Sequence, residues 1–280
     1  LEAATNITPI DGNIGITVAA NSIITVDSNA TFSVATDISG GGALFLTKSG
    51  PGTLVLNGAN DFSGTLNVDT LSSSANDGML VIANNAAIQN LLVVAGVPGI
   101  FIRNQNAGSS TLALDGTAGS ITIAPDISLD GRNNAVPAIE NLVGDNTVSG
   151  NITLNVGGGL YAIQSDSGTL TLTANLPYST PTSSGRILTF AGAGNIVMSG
   201  AIQDGSNNGT SNVWDSVVKI GPGVLNLPAA NTYSGTTSIS NGVVSLTGSL
   251  GGGAVTVAGG LLVGNGSITG PVSVLSGGAI

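Results

Sequence analysis

The chain lacks histidine and cysteine altogether. That excludes imidazole and thiolate catalysis, disulfides, and zinc, iron–sulfur or haem sites of the usual kinds. Charge is also scarce, at 7% of residues against about 25% in a typical domain. Glu, Lys, Arg and Gln together number only eleven in 280 residues. These are the residues that fill exposed helix faces, so a helical protein of this length cannot be written with so few. The five basic residues, Lys48, Arg103, Arg132, Arg186 and Lys219, are scattered against fifteen acids. No basic patch exists for nucleic acid, and an anionic membrane is an unsuitable partner for the same reason. The longest apolar run, Leu91 to Ile102, is broken by Pro98 and is too short to cross a bilayer. The first thirty residues show no basic segment followed by an apolar one, so no signal peptide is read there.

What remains is glycine (43 residues), small polar residues and 41% hydrophobic content. The apolar residues fall in short alternating runs, among them Thr53–Leu56, Met79–Ile82, Thr111–Leu114, Ile152–Val156, Thr169–Leu172 and Val243–Leu246. Alternation with period two marks a half-buried strand. Asp-Gly and Asn-Gly pairs punctuate the runs and supply the backbone freedom of tight turns. Many short strands fit a sandwich, a barrel or a solenoid, and internal repetition decides among them. Residues 48–68 and 219–239 agree at eleven of 21 positions with a constant offset of 171. Asn146–Leu154 repeats part of the same pattern, with its asparagine aligned to Asn60 and Asn231. The Leu-x-Leu dyad recurs at Leu54, Leu112, Leu170 and Leu225. A unit of about 28 residues divides most of these steps, and a finer unit of about 20 fits less evenly; either lies in the span of one structural repeat. The spacing therefore predicts an all-β solenoid of ten to thirteen coils over 1–280, as one continuous body. Residues 1–30 read as N-terminal strands and a candidate cap, and the C-terminus falls in mid-repeat. Phe62 and Tyr233 share a repeat position and are expected to pack inside.

The motif Gly52-Thr-Leu-x-Leu followed by Asn60-x-Phe-Ser-Gly-Thr, and its copy from Gly223 to Thr237, resemble the autotransporter-associated β-strand repeat, also called the passenger-associated transport repeat. The resemblance implies a right-handed parallel β-helix carried on secreted or surface-displayed bacterial proteins at the outer membrane. It also implies a non-enzymatic role as adhesin, stalk or filament subunit.

No catalytic, cofactor or metal residue is expected. Enzymes on β-helices gather carboxylates and a base on one face, and Asp126, Asp130 and Arg132, with Asp145 or Asp166 on neighbouring coils, come nearest to that arrangement. The plainer reading makes Asp130-Gly131 a turn and pairs Arg132 with an outward Asp. Tyr178, within Pro177–Pro181, and Trp214, after the polar loop 204–212, are the better candidates for surface contact, with Asp126, Asp130 and Arg132 beside them. The expected partners are other copies of the chain, end to end, or cell-surface molecules and glycans. The alternative is a carbohydrate-binding module or a polysaccharide lyase or hydrolase on the same scaffold.

Overall fold

The computed structural model describes residues 2–3, 7–10, 15–18, 21–40, 44–68, 78–91, 98–103, 108–176, 178–179, 186–207, 210–213 and 216–280. Among them, twelve strands hydrogen-bond side by side in one sheet, in chain order from Ile7–Ile10 to Val272–Val274. Every pairing in that sheet is parallel. A second sheet of eight strands runs from Glu2–Ala3 to Tyr178–Ser179, and a third of seven from Thr122–Ile123 to Leu261–Gly264. The chain visits the sheets in turn and returns to each one strand further on. That is a parallel β-solenoid, as the alternation and repetition predict. The twelve strands of the main sheet fall within the expected ten to thirteen coils.

The alternation sets the inside. All eight leucines of the four Leu-x-Leu dyads are at most 1% exposed. Like stacks on like: Leu54, Leu80 and Leu112 occupy one register position on successive coils, as do Leu170, Ile196 and Leu225 on the seven-stranded sheet. The dyads at 54 and 112 thus lie on a different face from those at 170 and 225. Coil length is not constant. Paired positions lie 32 residues apart at Leu80↔Leu112 but only 17 apart at Val255↔Val272. Both expected units occur, because the strand ladder fixes the spacing between coils and leaves corner length free.

Each long repeat copy is one whole coil of 20 residues. Lys48 pairs with Val68, and Lys219 with Ile239. The copies nevertheless start on different faces. The first leaves and re-enters the eight-stranded sheet, and the second leaves and re-enters the twelve-stranded one.

Candidate functional site

The structure puts most of the chain's positive charge inside the solenoid. Lys48, Arg132, Arg186 and Lys219 are all no more than 3% exposed. Lys48 stands in an inward column between Ile24 and Val68, and Lys219 between Phe190 and Ile239. A lysine can occupy such a column because its stem is apolar and its tip can turn to a polar group. The Lys48 Nζ donates to the Gly50 carbonyl, and the Lys219 Nζ to the carbonyls of Ile220 and Gly221 at 2.8 and 2.7 Å. Each lysine thus clamps the corner that follows its own strand. That corner needs glycine: Gly50 and Gly221 have φ of 80° and 76°, and an added Cβ would meet Val26 O at 2.5 Å and Gly192 O at 2.6 Å. Burial lowers the Lys219 pKa from 10.5 to about 8.

Three asparagines supply the polar cross-links of the interior. The Oδ1 atoms of Asn60, Asn146 and Asn231 accept the amides of Ile38, Ile121 and Ile202 at 2.8, 2.7 and 2.8 Å. The Nδ2 of Asn60 reaches forward to Ala87 O at 2.9 Å, and that of Asn231 to Ser249 O at 2.9 Å. Each of these two ties its own coil to the one before and the one after. Phe62 and Tyr233 lie buried two residues on, as expected. The Tyr233 hydroxyl is 2.5 Å from Thr237 Oγ1, and burial lifts its pKa to about 12.

Four of the five residues singled out for surface contact fall on or beside the eight-stranded sheet. Asp126 precedes and Asp130 lies in its strand Ile127–Gly131, and Arg132 follows it. Tyr178 lies in the strand Tyr178–Ser179. Phe101, Ser128, Thr153 and Tyr178 share one register position across successive strands. The two carboxylates are half-buried and held by amides of the next coil. Asp126 Oδ1 accepts from Asn151 N at 2.8 Å and Nδ2 at 3.1 Å, and Asp130 Oδ1 from Asn155 Nδ2 at 3.3 Å. Beside them the exposed Arg103 lays its guanidinium 4.6 Å from the Phe101 ring centroid, a cation–π contact.

Arg132 does not belong to this outer surface. It is 1% exposed, and its guanidinium donates inward to the carbonyls of Ser110, Val136 and Pro137. Arg186 is buried likewise. It donates to Tyr161 Oη at 3.1 Å and to Asn155 O at 3.3 Å. Trp214 lies outside the described residues, just after the antiparallel hairpin of Gly205–Asn207 with Thr210–Val213. Of Tyr178 only the backbone is described.

A second group was not visible as a unit in the sequence. On the outer face of the twelve-stranded sheet, Glu140 is paired in register with Gln164. The Gln164 Nε2 donates to Glu140 Oε1 at 2.9 Å and to Asp166 Oδ1 at 2.7 Å. Burial first, and the neighbouring Asp166 second, raise the Glu140 pKa from 4.5 to about 7. A carboxyl group at that value can give or take a proton near neutrality. Asp145, exposed at a corner, accepts the Thr169 amide at 2.9 Å and joins neither group.

Among the described residues no helix is long and apolar enough to cross a membrane. The family model for the passenger-associated-transport-repeat matches residues 46–70 and 217–246, which cover the two 20-residue coils clamped by Lys48 and Lys219. No curated protein and no solved structure matches the chain.

Proposed function

From two passenger-associated transport repeats set in a parallel solenoid, we propose that the chain is part of a secreted or surface-displayed bacterial passenger with a structural role. The solenoid serves as a stalk that presents an adhesive face. The observation that carries this reading is the use made of the repeat: each copy is a complete coil, closed inside by its own lysine and asparagine. The lysine and asparagine shared by the two copies hold the rod together. Protease treatment of intact cells that make the protein tests the location. Cleavage on intact cells is expected, and cleavage only after lysis overturns the reading.

The adhesive surface we assign lies on the eight-stranded sheet around Asp126, Asp130 and the strand that holds Tyr178, and its ligand is a cell-surface glycan. Carboxylates and amides offer hydrogen bonds to hydroxyls, and an aromatic offers an apolar face. A glycan array probed with the whole chain checks this. Asp130→Asn with Tyr178→Ala should weaken binding at least severalfold, and unchanged binding counts against this face.

Copies of the chain are a further proposed partner, joined end to end by strand pairing. The strand Val272–Val274 and the adjoining Leu275 are exposed. Leu246, Leu262, Val263, Ile268 and Ile280 line an apolar cleft there. Strand pairing between copies in a head-to-tail contact extends without closing. Light scattering at rising concentration should show growing mass, and a constant monomer mass refutes the contact.

A second reading, a polysaccharide-cleaving enzyme, is favoured by Glu140 alone. Its test is depolymerisation by the native chain that disappears in Glu140→Gln.

A further inference from the structure

We propose that Asn241 is a self-modifying residue, whose side-chain amide is lost to attack by the backbone nitrogen of Gly242. Asn-Gly pairs recur along the chain, and three of them, at Asn57, Asn241 and Asn265, lie in described corners. All three asparagines are exposed, so water reaches each one. They differ in what the following amide does. Gly58 N donates to Val34 O at 3.1 Å and Gly266 N to Leu246 O at 3.0 Å, both carbonyls of the preceding coil. Those nitrogens are held in the ladder. Gly242 N instead donates to the Oδ1 of Asn241 itself, at 2.7 Å.

That contact brings the reacting atoms together. Cγ lies one C=O bond of about 1.23 Å from Oδ1, so it is within about 4 Å of the Gly242 nitrogen. A positioned nucleophile converts a rare encounter into a standing one. Solvent base takes the Gly242 N–H proton as the N–Cγ bond forms. The Cγ–Nδ2 bond then breaks, and Nδ2 leaves as ammonia with a proton from water. The product is a five-membered cyclic imide. Water opens it at either carbonyl, leaving aspartate or isoaspartate. The net change consumes one water and releases one ammonia, with no oxidation or reduction.

The corner cannot avoid this by losing its glycine. Gly242 has φ of 70°, and an added Cβ would meet Gly223 O at 2.5 Å and Lys219 Nζ at 2.8 Å. Modification therefore adds a negative charge beside the buried lysine of the second repeat coil. The isoaspartate form also inserts a methylene into the main chain just before the strand Val243–Leu246.

The test is peptide mapping of the whole folded chain after incubation in mildly alkaline buffer. Each Asn-Gly peptide is scored for a one-mass-unit gain, and isoaspartate is scored by enzymatic methylation. Conversion at Asn241 should exceed that at Asn57 and Asn265 by about tenfold or more, and Asn241→Gln should remove the isoaspartate signal from that peptide. The same peptides from denatured chain should convert at similar rates, since the local sequence is Asn-Gly in each. A smaller ratio in the folded chain, or the same ranking in denatured chain, overturns the proposal.

Discussion

Asn60 and Asn231, 171 positions apart, hold the same post: each accepts an isoleucine amide of the preceding coil at 2.8 Å, from Ile38 and Ile202. Both are at most 3% exposed, and each donates forward to a carbonyl of the next coil. A buried amide that serves three coils has no apolar substitute. Asn231→Leu keeps the approximate volume but orphans the Ile202 N–H and loosens the Ser249 carbonyl. Each buried polar group left without a partner costs about 1–3 kcal/mol. Denaturant unfolding of Asn231→Leu should therefore show a loss of about 3 kcal/mol. Asn60→Leu should show a similar loss, and a shift within error in both would mean the asparagines are not structural.

Lys219 should make stability rise with alkalinity. Its folded pKa is near 8 and its ordinary value is 10.5. Between those values the unfolded chain binds more protons, so folding gains with pH there. The penalty is fully present below about pH 8 and is relieved as pH climbs towards 10.5. The denaturation midpoint should rise across that window in the native chain. Lys219→Met should flatten the rise, and an unchanged slope in the variant refutes the assignment.

Glu140 acts in the opposite direction in a lower window. Its folded pKa of about 7 exceeds the ordinary 4.5. Its contribution to stability is fully present below about pH 4.5 and is lost as pH rises through 7. Above that, two carboxylates face each other across Gln164. Glu140→Gln should stabilise the chain at pH 8 relative to pH 5, because it removes the charge that Asp166 opposes. Equal effects at the two pH values would contradict the pairing.

The interior leucines set the cost of thinning the core. Leu170 stacks between Asn146 and Ile196. Leu170→Ala removes a fully buried side chain and should cost about 2–5 kcal/mol. Local hydrogen exchange should be fastest in the coils adjoining Leu170, since each coil contacts mainly its neighbours. Uniform loss of protection along the rod would argue for unfolding of the whole body as one unit.

Charge on the strand Val272–Val274 should keep copies apart if they pair there. Val272, Val274 and Leu275 are 42, 46 and 52% exposed. Val274→Lys with Leu275→Lys places charge there, a device that blocks strand pairing. Any mass growth seen by light scattering should disappear in the double variant, and growth that persists locates the contact elsewhere.

Much of the fold was legible in the residues. Period-two alternation sorted Leu54, Leu112, Leu170 and Leu225 to the inside, and all are buried. The Phe62–Tyr233 pair marked an interior post, and both are buried, whereas the repeated asparagines showed only the repeat and the structure puts them inside. The charges were misleading. Lys48, Arg132, Arg186 and Lys219 look like ordinary solvated bases in a sequence, and each is buried. Arg132, expected on a surface, binds carbonyls that lie up to 22 residues away in Ser110. Only stacking brings such groups together.

By itself the sequence determined the strands, their inward faces and the corners, because alternation and glycine act over two to four residues. Tertiary structure decided coil length, the face on which each repeat copy starts, and the meeting of Glu140 with Gln164 and Asp166. Those depend on register between coils, and register is a sum over every corner in between. Corners vary freely while strand spacing does not, so coils of 17 and of 32 residues share one sheet. A local motif carries no count of the residues around it, and the solenoid sets that count only when the next coil docks.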